Sequence, residues 1–172
     1  MHPSPKDQPD TLVADAVQRA DQLREAGAPR AEVLTLLVHT AERIAGHGAV
    51  SSILVVENGL LRNGASPNLP DDYLRAIDHL KPDPQVGTCA AAAATGCIIL
   101  TPDFSADDKW AELRHLPLAL GFRGAWSMPI KSPDGAVLGT FGTYFRETRK
   151  PSPAELRGIE SLAAAAARAI LP

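Results

Sequence analysis

RGAWSMPIKSPDGAVLGTFGTYFRE, residues 123 to 147, decides the fold. Ser132-Pro133-Asp134-Gly135 is turn chemistry: proline presets φ, Asp accepts the bridge conformation, and Gly takes the positive φ that closes a bulged hairpin. On either side Ala125 to Ile130 and Val137 to Phe145 are apolar, aromatic runs of strand length, so the stretch predicts an antiparallel hairpin. Alternation groups Trp126 with Met128 and Ile130, and Phe141 with Gly139, Thr143 and Phe145. Gly139 and Gly142 leave hollows where a backbone, helix or ligand can come close. A hairpin this apolar needs cover on both faces, and the remaining chain reads as that cover.

Working outward, Ser152-Pro153-Ala154-Glu155 is a capping box that opens a last helix carrying Leu156, Ile159, Ala163, Ala166 and Ile170 at heptad-like spacing. Toward the N-terminus, Gly87-Thr88-Cys89 leads into five alanines that read as a short helix. Cys97 to Leu100 reads as a strand, and Asp107 or Asp108 starts a helix through Trp110. Val50 to Glu57 is a buried strand turned by Asn58-Gly59 into a second one, Leu60 to Gly64. Asp71 caps a short helix over 72 to 80, and residues 81 to 86, with two prolines, are loop. Two helices precede all of these. One is capped by Asp10 or Thr11, stops at Gly27 and shows a stripe of Val13, Ala16, Ala20 and Leu23. The other opens at Pro29 and stops at Gly46. Residues 1 to 10, polar and proline-rich, read as a disordered tail before one domain at 11 to 171.

Composition bounds the function. The 172 residues suffice for one domain with a sizeable core. A net charge of −3 with interspersed signs provides no field for nucleic acid or anionic lipid. No apolar run approaches membrane-spanning length and no leader pattern opens the chain, so a soluble, cytoplasmic protein is expected. Two cysteines make no disulfide framework, and no His/Cys pair has metal-ligand spacing, so no metal is expected.

The segments GASPNLPDDY, VGTCAAAAATG, DDKWAELRHLPLALGFRGAWSMPI and DGAVLGTFGTYF together resemble a GAF domain, over roughly residues 30 to 171. The likeness is narrowest for the bacterial sensor type found with PAS, histidine kinase and diguanylate cyclase modules. It implies an α+β fold: a six-stranded antiparallel sheet, the first, second and last helices on one face, and on the other a pocket roofed by the insertion from Pro67 to Gly121. It also implies a non-enzymatic regulatory module that binds a small ligand and signals through the terminal helices of a dimer.

The residues themselves leave alternatives open. Cys89 at a helix start can become a reactive thiolate, and with Cys97 it would make a thiol enzyme or sensor. Free methionine-R-sulfoxide reductases, a GAF-fold group, carry such a cysteine. Their second cysteine segment and last-strand acids are missing here, and a two-cysteine chain is also read as having two small buried hydrophobes. His79 or His115 could ligate haem, against surface placement for all five histidines. Phe104, Trp110, Trp126, Met128 and Phe141 could line a pocket for a flat ligand, or fill an alanine-rich core. Arg123 could clamp a carboxylate, or sit at the surface. Ala16, Ala20 and Leu23, with Leu156, Ile159, Ala163, Ala166 and Ile170, could pair two chains into a homodimer, or pack within one. A ligand-free dimerising scaffold is the third alternative. The residues name no cofactor, ligand or downstream effector.

Overall fold

In the computed structural model, residues 8–171 are described. Five strands form one antiparallel sheet in the order β2-β1-β5-β4-β3. The central hairpin is β4 (Gly124–Lys131) and β5 (Val137–Phe145), paired directly with Trp126 opposite Thr143 and Met128 opposite Phe141. Its turn is as the sequence dictates: Gly135 adopts φ +89° and its N–H donates to the Ser132 carbonyl, with a register shift at Ile130/Lys131 marking the bulge. β5 continues inward to β1 (Val50–Glu57), which turns through Asn58 and Gly59, both at positive φ, into β2 (Leu60–Ala65).

Five strands stand where the resemblance implied six. After β2 the chain forms α3 (Asp71–Ile77) and returns to the sheet edge at Leu80, which makes a single bridge to Leu61. Pro82 and Pro84 follow, and proline has no N–H to extend a ladder. α4 (Cys89–Thr95) ends at Gly96 in the left-handed conformation, and β3 (Ile99–Thr101) is only three residues long, displaced from the expected 97–100. The helix expected through Trp110 is a 3-10 turn, Asp108–Trp110, followed by the short α5 (His115–Ala119).

Helices α2 (Arg30–Ala45) and α6 (Pro153–Ile170) lie on one sheet face, where Leu34, Leu37, Val38, Ile159 and Leu162 meet Ile53, Val55, Ile130 and Phe141. The capping box of α6 is formed in full by Ser152 and Glu155. α1 (Pro9–Glu25) makes an outer layer that packs across α2 and α6 rather than on the strands. It starts at Pro9 with Gln8 as N-cap, so residues 9 and 10 are helical rather than part of a tail; the rest of the expected tail, 1 to 7, lies outside the described residues. Burying each Leu, Ile or Phe of this layer contributes about 1.5–3 kcal/mol. The opposite face is covered by α3, α4, the 3-10 turn and α5, with a second core of Tyr73, Phe104, Trp110, Phe122 and Tyr144.

Candidate ligand site under the roof

Register assigns the roofed face. Ser52 and Leu54 on β1, Thr140, Gly142 and Tyr144 on β5, and Ala125 and Ser127 on β4 are cross-strand neighbours pointing toward the roof. α4 lies directly on this face because its alanines are small: Ala90, Ala91 and Ala92 are at most 1% exposed. Gly142 permits the closest approach, since a Cβ there would stand 3.1 Å from the Cys89 sulfur. Between sheet and roof remains a hollow of about 20 Å³, lined by Leu54, Ile77, Leu80, Gly87, Thr88, Cys89, Ala90, Trp110, Leu113 and Tyr144. That is room for one water.

Its polar wall is ordered by hydrogen bonds with a fixed direction. Thr101 donates its one hydroxyl hydrogen to Asp107 Oδ2 at 2.7 Å, so in the 2.9 Å contact between Thr88 and Thr101 it is Thr88 that donates. Trp110 Nε1 in turn donates to Thr88 Oγ1 at 2.8 Å, which fastens the roof tryptophan to β3. Burial pushes the Asp107 carboxyl up, but hydrogen bonds from Lys109 and Thr101 outweigh it and hold the group below its ordinary value. Tyr73 donates to Tyr144 at 2.8 Å, which leaves the Tyr144 hydrogen free to serve another acceptor. Burial raises both phenols; Tyr144 is pushed further by Tyr73 and by Cys89.

Beneath Cys89, Ser127 Oγ and Thr140 Oγ1 are fully buried and have no hydrogen-bond partner of good geometry. Their polar neighbour is the Cys89 thiol, a weak donor and acceptor. Burial pushes that thiol up, with the two hydroxyls opposing it. A raised pKa is the reverse of what a reactive thiolate needs. Cys97 is exposed beyond the other end of α4. α4 separates them by its own length, about 9 Å from Cys89 to Thr95, which is beyond disulfide reach.

The candidate residues from the sequence separate into three groups. Cys89 and Trp110 line the hollow, and Phe104 backs Trp110 edge-on at 4.6 Å between ring centres. Trp126, Met128 and Phe141 do not: they lie on the opposite, helix-covered face. There Trp126 packs on Phe145 at 4.7 Å under the Arg149 guanidinium, Phe141 is in the helix-side core, and Met128 borders an open groove of about 450 Å³ beside Ala163 and Ala164. Arg123 is exposed, its guanidinium reaching the Phe122 carbonyl, while its backbone joins Phe104 to Phe145. His79 and His115 are also exposed, and His79 pairs with Asp78 at 3.0 Å. Among the described residues no group of three or more His, Cys, Asp or Glu is arranged to hold a metal ion. Tyr144, which lines the hollow, and the buried hydroxyls of Ser127 and Thr140 beside Cys89 were missed. Strand parity signalled those on β5: the residues alternating with Phe141 and Phe145 are Thr140, Gly142 and Tyr144.

The terminal-helix stripes also have another use. Ala16, Ala20, Ile159, Ala163 and Ala166 are buried inside one chain, with Leu23 and Ile170 packed against them; Leu156 is half-buried. A bidentate Arg168–Asp21 pair at 2.9 and 3.1 Å bridges the same two helices. Both stripes are therefore packed within one chain: α1 meets α6 near Gly158, while Ala163 sits over β4 beside Met128.

A family model described as GAF domain matches residues 27–171. The chain belongs to the GAF domain family. A curated relative, the methyl sulfide methyltransferase-associated sensor of Methanosarcina acetivorans, is 36% identical over 147 residues, covering 84% of this chain. This GAF domain spans only 15% of that relative's length. Among solved structures, the GAF domain of a phosphoenolpyruvate-protein phosphotransferase from Coxiella burnetii superposes with a TM-score of 0.73 at 18% identity, covering 92% of each chain. The free methionine-R-sulfoxide reductase of Neisseria meningitidis superposes with a TM-score of 0.72 at 13% identity, covering 99% of this chain and 93% of its own. At such identities the two structures share the fold with this GAF domain, and nothing further follows from them. Among the described residues no helix is long and apolar enough to cross a membrane.

Proposed function

We propose that this GAF domain is a non-enzymatic sensory module that takes a small ligand under its roof and passes the bound state to α1 and α6 of a homodimer. The observation that carries the reading is the two-sided use of β5. Its Tyr144 edge faces the hollow, while Phe141 and Phe145 on the same strand carry the helix layer. A ligand that moves β5 thus biases helices on the far side of the sheet, which is a shift between two packed states rather than catalysis. Since both stripes are buried within one chain, pairing of two chains would use the outward surfaces of these helices, around Ala14, Gln18, Arg157 and Ser161.

A thermal-shift screen with nucleotides, oxo acids and small neutral aromatics tests the reading, since a ligand bound only by the folded state raises the melting point by mass action. Multi-angle light scattering is run with and without the hit. The expected result is a concentration-dependent rise in a dimeric protein; a monomer at all concentrations would remove the signalling half. The narrowness of the hollow favours a second reading, a ligand-free scaffold, and silence across the screen in a stable dimer would select it. Thiol catalysis by Cys89 and Cys97 is tested by assaying free methionine sulfoxide reduction before and after alkylating both: turnover that disappears with the thiols would replace the sensor reading.

A further inference from the structure

We propose that the hollow under the roof selects an uncharged, mostly apolar molecule carrying a hydrogen-bond-accepting oxygen, with that oxygen received by Ser127, Thr140 and Tyr144. The inference rests on the small-ligand reading above and specifies its chemistry. Three observations carry it. The lining consists of Leu54, Ile77, Leu80, Ala90, Trp110 and Leu113 with hydroxyl and thiol groups, and each lining side chain is uncharged. An anion brought into such a site would lose its hydration with no cation to replace it, a cost that one or two neutral donors do not offset.

The second observation is the direction of the hydrogen bonds. Thr88 accepts from Trp110 and gives its hydrogen to Thr101, so it has no donor for a ligand. Tyr144 accepts from Tyr73 and keeps its own hydrogen. The wall therefore presents an unused donor at Tyr144. The third is the pair of orphan hydroxyls. Ser127 and Thr140 are both 0% exposed and have only the weak Cys89 thiol beside them, which is unusual for buried polar atoms and calls for a reason. They lie on the sheet beside the Cys89 sulfur, which stands between them and the hollow. A carbonyl or ether oxygen that nudges the sulfur aside would give these donors a stronger acceptor than the thiol. The roof must move outward for anything larger than water, and its elements are short and joined by loops at Pro82, Pro84 and Gly87.

The test uses pairs of nearly equal shape and opposite charge state: acetone against acetate, and acetophenone against benzoate, titrated into the full chain at neutral pH. Binding is read by thermal shift and by Trp110-sensitive fluorescence. Thr140→Val and Ser127→Ala are measured alongside. The expected result is a saturable response to at least one ketone, none to its carboxylate partner, and about five-fold or greater weakening of the ketone in either variant. A carboxylate that binds as well as its ketone overturns the charge selection while leaving the sensor reading intact. Ketone binding unchanged in both variants overturns the assignment of the oxygen site. Silence from all four probes overturns the proposal; the sensor reading is then judged by the broader screen. A purely structural role for Thr140 would move stability and leave probe affinity alone.

Discussion

Thr140 and Thr143 lie three residues apart on β5, on opposite faces of the sheet, and both are 0% exposed. The same substitution, Thr to Val, should change stability in opposite directions at the two sites. At Thr143 the hydroxyl pairs with Ser51 Oγ at 2.9 Å, also fully buried. Valine keeps the shape but strands the Ser51 hydroxyl in an apolar setting, which costs about 1–3 kcal/mol. For a chain of this size that lowers the melting point by about 4–8 °C at the middle of the range. At Thr140 the neighbour is only the weak Cys89 thiol. The methyl replaces a hydroxyl already carrying its desolvation cost, so Thr140→Val should gain about 1 kcal/mol, less whatever the weak contact with Cys89 supplies. The expected rise is about 2–4 °C. Thermal and urea unfolding of the two variants against the parent, with equal denaturant slopes, measures the difference. Were Thr140→Val to fall as far as Thr143→Val, the Thr140 hydroxyl would be satisfied in solution, and the orphan-donor argument for the hollow would go with it.

Iodoacetamide should label Cys97 at least about ten times faster than Cys89, because Cys97 is exposed while burial raises the Cys89 thiol; equal rates by mass spectrometry would mean that the start of α4 opens readily. Stability should also decline in alkali. Cys89 and Tyr144 hold their protons more tightly folded than unfolded, so their contribution is complete below the unfolded values of about 8.5 and 10 and is lost as pH rises past them. Melting points should therefore fall from about pH 8.5 upward, and Cys89→Ala should flatten the first part of that fall; an unchanged profile would contradict the burial of the thiol. Gly139→Ala would drive a Cβ into the Leu54 carbonyl across the β1–β5 ladder. A loss of about 3 kcal/mol or more is expected from the forced strand separation, and a Tm within 2–3 °C of the parent would show that β1 and β5 are not so closely paired.

Much of the architecture was legible because local chemistry and global fold agree. The turn at Ser132 to Gly135, the Asn58-Gly59 turn and the Ser152 capping box each specify their geometry within four residues. The sixth strand was not legible from the residues, since it came with the family likeness. Here Pro82 and Pro84 leave only the Leu61–Leu80 bridge at that edge. The stripes on α1 and α6 were correctly seen as alanine faces suited to close packing, but periodicity cannot say whether a helix's partner belongs to the same chain. The burial of Ala16, Ala20 and Ala166 within one chain answers that.

The candidate site was half legible for a more instructive reason. Parity within β4 and within β5 was read correctly, and pairing puts Trp126, Phe141 and Phe145 on one face. What parity cannot supply is which face the roof covers, and the large rings of the strands lie on the helix-covered one. Volume decides it. α6 presents Ala163, Ala166 and Ala167 to the sheet, so the strands beneath must provide the bulk, and Trp126, Phe141 and Phe145 do so. On the roof side the cover brings its own bulk in Tyr73, Phe104, Trp110 and Phe122, leaving the strands free to carry Ser127, Thr140 and Gly142. Hydroxyls and a glycine on a strand face, opposite a roof rich in rings, thus mark the roofed side of the sheet, where the enclosed hollow lies.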